Sequence, residues 1–209
     1  MVTIVERVFQ LVARKSSDTL KRVGKLVLLL PASLFAQTQS DYYRIETYEL
    51  PKGVNFEASG LAVLPDGKLA VSLRKGEVWI AQNPSDSAKP NFKRFASGLH
   101  EILGLAWRDG ALYATQRVEV TKLRDVNGDG VADEYLTAAT GWGVSGNYHE
   151  YAYGPVFDHE GNLWVTLNVT IGAPTKMEGH RPAGPLWRGW AMRQAPGGQL
   201  LPVAAGFRS

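Results

Sequence analysis

The sequence predicts an all-β fold: a partial β-propeller of about three four-stranded blades. Three observations predict it. A pair of hairpins recurs three times along the chain, each unit closes on the same small-Gly-apolar signature, and no segment after residue 41 holds an apolar period of 3.6 long enough for a helix. The absence of cysteine excludes a disulfide scaffold and a cysteine zinc site within these 209 residues. A hydrophobic share of 44% and a charged share of 21% are those of a globular chain with a real core.

The N-terminal segment comes first. Residues 1–40 carry six Lys/Arg against Glu6 and Asp18, while residues 41–209 carry 17 basic and 18 acidic residues. The net charge of +3 therefore belongs to the leader, and nothing in the remaining chain argues for a nucleic-acid partner. Lys21 to Lys25 precede an apolar stretch, Leu26 to Ala36. That stretch is shorter than the roughly 20 residues a membrane span needs. Residues 1–36 read as a secretory signal with cleavage after Ala36, and residues 37–44 as a linker. The alternative is an amphipathic helix on a cytoplasmic protein. Export implies a periplasmic or secreted protein with no transmembrane span.

Residues 45–209 then form the propeller region. Tyr43 to Leu50 reads as a lone outer strand ahead of the first blade. The first hairpins of the three units begin at Gly60-Leu-Ala-Val, Gly104-Leu-Ala-Trp and Gly154-Pro-Val-Phe. Their turns carry Asp66-Gly67, Asp109-Gly110 and Asp158-His-Glu-Gly161, where glycine supplies the positive φ a tight hairpin requires. The second hairpins start at Glu77-Val-Trp, Glu119-Val-Thr and Trp190-Ala-Met, and the units close at Gly98-Leu99, Gly141-Trp142 and Gly206-Phe207. The closing glycines are 43 and then 65 residues apart, the excess being a Gly/Pro-rich insertion around 169–186. Blades are expected at about 58–99, 100–142 and 143–207. An irregular β-sandwich is the competing architecture. Rings of this type hold 4–8 blades, so three blades and one strand read as part of a longer protein.

Two loops carry candidate chemistry. Asp125-Val-Asn127-Gly-Asp129-Gly-Val131-Ala-Asp133 sets oxygen ligands at alternate positions around a glycine turn, the pattern of a calcium loop. Its predicted ligands are Asp125, Asn127, Asp129, the Val131 carbonyl and Asp133. Leu136 at the twelfth position excludes an EF-hand, and a solvated acidic turn is the alternative. Gly141-Trp-Gly143-Val-Ser-Gly146 matches the dinucleotide glycine pattern, but a strand follows it where that site needs a helix. His149 stands in the loop that enters the third blade, with Tyr148, Tyr151, Tyr153 and Trp142 nearby in sequence. His100-Glu101 and Glu57 hold the corresponding places in the earlier units. Imidazole titrates near neutrality and can accept an alcohol proton, although a structural histidine bonding its own loop fits the same position.

The segments Gly98 to Trp107, His149 ahead of Gly161-Asn-Leu-Trp-Val165, and Gly206-Phe-Arg208-Ser209 together resemble soluble quinoprotein glucose/sorbosone dehydrogenases. They are similar in particular to planctomycete-type membrane-bound dehydrogenase domain proteins. The resemblance covers about residues 45–209 and implies a six-bladed, TolB-like ring. It further implies oxidation of a sugar or alcohol, with hydride transfer to PQQ, His149 as the base, Arg208 as the cofactor arginine and a cytochrome c domain or protein as electron acceptor. Ser209 stands where the family has Asn, and Leu167-Asn168-Val169 lacks the family's acidic residue. The other reading is a non-catalytic secreted propeller that binds a glycan or a partner protein.

Overall fold

A computed structural model of the chain describes residues 42–87, 89–144, 148–170 and 186–207. The chain divides into two compact units, residues 1–45 and 46–209. The architecture below belongs to the second. The expected signal segment, most of the linker, the insertion at 171–185 and Arg208 lie outside the described residues.

Twelve strands form three antiparallel sheets among the described residues. The first holds β1 (Ala58–Val63), β2 (Leu69–Leu73), β3 (Glu77–Ala81) and β4 (Phe92–Ala96). The second holds β5 (Leu105–Arg108), β6 (Ala111–Thr115), β7 (Glu119–Arg124) and β8 (Glu134–Thr140). The third holds β9 (Ala152–Phe157), β10 (Leu163–Leu167), β11 (Trp190–Gln194) and β12 (Leu200–Ala205). Each sheet is a meander in chain order, which is the blade of a β-propeller.

The blades pack face to face rather than closing on one another. Residues of the first and second blades, including Val78, Ile80, Phe95, Ile102, Leu112 and Leu123, share one buried cluster. The other side of the second blade contributes Val120 and Ala139 to a second cluster with Leu163, Val165, Leu167 and Met192 of the third. The middle blade is thus apolar on both faces, which a two-sheet sandwich does not require. Leu61 and Val63 on β1, and Leu201 and Val203 on β12, are at least half exposed at the two free sides of the stack.

The glycines that open the three repeats have a physical reason. A Cβ on Gly60 would lie 2.9 Å from the Gly104 Cα, and a Cβ on Gly104 would lie 1.5 Å from the Gly154 carbonyl oxygen. The innermost strands therefore meet backbone to backbone, and a side chain at Gly104 has no room. The closing glycines have a different one: Gly98, Gly141 and Gly206 sit at φ of 78°, 117° and 101°. That region is strained for any residue with a Cβ. At the Asp109-Gly110 turn both residues are left-handed, φ 47° and 75°, as a two-residue hairpin loop demands.

One expectation fails. Residues 43–50 form no strand, and Ile45 is 95% exposed. A single extended segment leaves its backbone groups to water unless a sheet edge receives them, and β4, β8 and β12 each pair only with the third strand of their own blade.

Candidate functional site

The loops that enter the blades and the loops that join second to third strands project on one side of the second unit. Glu57, Arg74, Lys75, Leu99, His100 and Glu101 line a cleft of about 430 Å³ there. Arg74, just after β2, donates to the Tyr148 hydroxyl and lies 3.5 Å from Glu101. Arg117, between β6 and β7, holds the other side of the Glu101 carboxylate at 3.1 Å. The His100 imidazole stands 4.0 Å from the same carboxylate. The entry loops of the second and third blades are therefore joined through two guanidinium groups, Arg74 from the β2–β3 loop and Arg117 from the β6–β7 loop, while Glu57 of the first entry loop lies 3.9 Å from Lys75. Glu101 takes φ 45°, a strained conformation for a residue with a side chain, and it keeps the carboxylate between both arginines.

The third entry loop brings the aromatic side chains. The Tyr148 ring meets His149 at 5.1 Å and Tyr151 at 5.7 Å, edge to face in both cases, and Tyr151 meets Tyr153 at 6.3 Å. The Arg117 guanidinium stands 6.0 Å over the Tyr151 ring, while Trp142 is buried and donates to the Arg117 carbonyl at 2.7 Å. A hydrogen bond with Tyr151 and another from Arg74 hold the Tyr148 phenol below its ordinary range. Burial, together with the bond to Tyr148, pushes Tyr151 up to about 12.

His149 is exposed at the surface of this face, followed directly by Glu150, which is wholly buried. Asn168 fixes this loop: it donates to the His149 carbonyl, and its oxygen accepts the Tyr151 N–H at 2.6 Å. Gln116 does the same one blade earlier, accepting the His100 N–H. Both residues directly follow the second strand of their blade, as Arg74 does in the first. Asn168 stands where the acidic residue of the resembled family is missing, and it anchors backbone instead. Arg188, 9% exposed, spans the loop from the other side, donating to the Gly143 carbonyl at 2.8 Å and to the Tyr151 carbonyl at 2.7 Å. Desolvation lowers its pKa against the attraction of Glu150, and its Nη2 is buried with no hydrogen-bond partner.

Sequence reasoning selected His149, His100, Glu101 and the tyrosines but missed Arg74, Arg117, Asn168 and Arg188. Their shared signal was position: all four lie in the connection between the second and third strands of a blade. Among the described residues after Gly143 the next regular element is the strand β9.

The acidic loop lies elsewhere, between β7 and β8. Asp125 accepts the N–H groups of Gly128, Asp129 and Gly130, and Asp133 accepts those of Val126 and Asn127 and the Asn127 side-chain amide. Asn127 and Asp129 accept the N–H groups of Asp129 and Val131. The Lys93 ammonium donates to the Asp129 carbonyl. Among the described residues no three His, Cys, Asp or Glu side chains converge as a metal site. The oxygen ligand types suit calcium, but the carboxylates are turned onto the loop's own amides. Binding calcium would require them to turn toward a common centre and Lys93 to withdraw.

No protein-family profile and no curated protein matches the sequence. Solved structures do match in fold. An oxidoreductase of Thermus thermophilus, described as a glucose dehydrogenase, aligns with a TM-score of 0.51 at 21% identity over 69% of this chain and 46% of its own. The PQQ-bound aldose sugar dehydrogenase of Streptomyces coelicolor aligns at 0.44 with 16% identity, over 73% and 47%. The virginiamycin B lyase of Staphylococcus aureus aligns at 0.45 with 13% identity, over 75% and 44%. The chain spans about half the length of these structures. The likeness is one of fold, and the chain is part of a β-propeller. Among the described residues no helix is long and apolar enough to cross a membrane.

Proposed function

We propose that this face oxidises the hydroxyl of a sugar or other alcohol, with His149 as the base, in an exported protein that passes electrons to a cytochrome. The observation that carries the reading is the convergence of the second and third blade-entry loops on two arginines and a run of tyrosines.

The donor set fits the implied cofactor in kind. PQQ is planar and anionic, and Arg74, Arg117, Tyr148 and Tyr151 offer guanidinium groups and aromatic surface, with Arg208 added by the resemblance. When bound, such a quinone supplies hydride acceptance. The chain's own task is proton management and orientation. The His149 imidazole takes the hydroxyl proton: it is exposed on this face, and a neutral imidazole nitrogen can accept one. Asn168 and Arg188 fix the loop that carries it, limiting the positions from which it can act. The tyrosine edges give a sugar ring an apolar surface with polar rims.

The test uses the full-length protein. Uptake of PQQ, seen as a quinone absorbance retained after desalting, and reduction of a dye by sugars are the expected results. Absence of both overturns the reading in favour of a propeller that binds a glycan or protein without chemistry.

A further inference from the structure

We propose that Tyr148 is a second proton acceptor of this face, a phenolate held by Arg74 and Tyr151. Arg74 donates to the Tyr148 oxygen from the loop after β2, in the first blade, to the entry loop of the third. Tyr151, three residues on, shares a side-chain hydrogen bond with the same oxygen and keeps its own proton to higher pH because it is desolvated. Two donors aimed at one oxygen stabilise its charged form. Tyr148 itself is 52% exposed, so the ring stands at the surface of this face.

The charges that face it come from three elements. Arg74 of the β2–β3 loop favours the phenolate, and Glu101 of the second entry loop opposes it. Glu101 is itself bracketed by Arg74 and Arg117, which offsets much of that opposition. On its own loop stand Tyr151 and the His149 ring. Arg74 is correspondingly held above its ordinary value, first by Tyr148. The guanidinium is thus matched to the phenolate and not only to Glu101.

The step this permits is a single proton transfer. The O–H bond of a hydroxyl substrate breaks, the Tyr148 Oη–H bond forms, an alkoxide remains, and nothing is oxidised or reduced. That the donor is an alcohol rests on the proposed function; that Tyr148 ionises early does not.

The experiment is a near-ultraviolet titration of tyrosinate absorbance on the full chain without added cofactor. In the wild type one tyrosine ionises ahead of the others, and Tyr148→Phe removes that first step. Arg74→Gln and Tyr151→Phe each move the step up, by about one pH unit or more for loss of the guanidinium. Arg74→Lys, which keeps the charge, retains part of the shift and shows that the change is not a folding defect. The proposal is overturned if Tyr148→Phe removes a step near the ordinary tyrosine value of about 10, or if Arg74→Gln leaves the first step in place. An early step that persists in a protein oxidising no sugar supports the phenolate and overturns only the reaction assigned to the face.

Discussion

Asn168 donates its side-chain amide to the carbonyl oxygen of His149, across the mouth of the third blade. The same side chain accepts the Tyr151 N–H at 2.6 Å and is itself only 2% exposed. One buried amide therefore fixes the loop on both sides of Glu150. Asn168→Ala strands a backbone donor and acceptor and should cost about 1–3 kcal/mol, read by denaturant unfolding. Asn168→Asp keeps the acceptor for Tyr151 but sets a carboxylate oxygen against the His149 carbonyl. It should be no better than Ala, and a stability equal to wild type would refute the anchoring role.

Under the proposed function, turnover depends on the base that this anchor holds. In the PQQ-loaded full-length protein, His149→Ala should lower kcat by about 10²–10⁴ and leave cofactor uptake nearly unchanged. Arg208→Ala should weaken uptake as well, since the resemblance gives it the quinone oxygens. Steady-state kinetics with equilibrium cofactor binding separate the two, and wild-type turnover in His149→Ala removes the base assignment.

Gly104 tests the packing of the inner strands. An added Cβ would sit 1.5 Å from the Gly154 carbonyl oxygen, so Gly104→Ala forces neighbouring blades apart. The loss should exceed the roughly 1–3 kcal/mol usual for overpacking. Gly67→Ala is the control. Its φ is +82° with nothing within 4 Å, so only the conformational strain of about 1–2 kcal/mol applies.

The acidic loop separates two accounts by calorimetry. If calcium binds, chelator lowers the melting temperature and added calcium restores it, by about 2.7 kcal/mol at a hundredfold excess over Kd. Asp129→Ala should abolish that response. Asp133→Ala should destabilise the chain with or without calcium, because Asp133 already holds the Val126 and Asn127 amides. A melt indifferent to chelator leaves a turn closed by its own hydrogen bonds.

Asp158 gives the pH dependence. Hydrogen bonds from the Trp164 indole and the Asn162 amide, both at 2.8 Å, hold its carboxyl well below the usual carboxylate range. A depressed folded value means that the stabilisation is full above the unfolded value of about 3.9 and is lost as pH falls through and below it. Acidification from neutral to about pH 3 should therefore weaken the wild type more steeply than Asp158→Asn. Parallel stability curves would exclude the contribution.

The blade pattern was legible because period-two burial and turn glycines are local signals. Gly67, Gly110 and Gly161 mark hairpins whatever surrounds them. The lone strand at 43–50 was misread because pairing depends on a free edge elsewhere, which no local pattern reveals. His149 and Glu101 stood out through chemistry and repeat position. Arg74 and Arg117 did not, because a surface-loop arginine has the same composition whether it faces water or a carboxylate on another loop. Asn168 was noticed only as a missing acid, although an amide is what a buried site needs when it must both donate and accept.

The contact of Gly60 on Gly104 and of Gly104 on Gly154 makes each repeat lean on the next through main chain rather than through interchangeable side chains. Such an array behaves as a one-dimensional chain of nearest neighbours, in which the stability of a unit is largely that of its interfaces. Within residues 46–209 the middle blade has two of these interfaces and each flanking blade has one. In this 209-residue chain taken by itself, amide exchange should therefore be slowest on β5 and β6, and unravelling should begin at the flanking blades and move inward. The cleft around Glu101, built on the middle blade's entry loop, then belongs to the last part of the array to come apart.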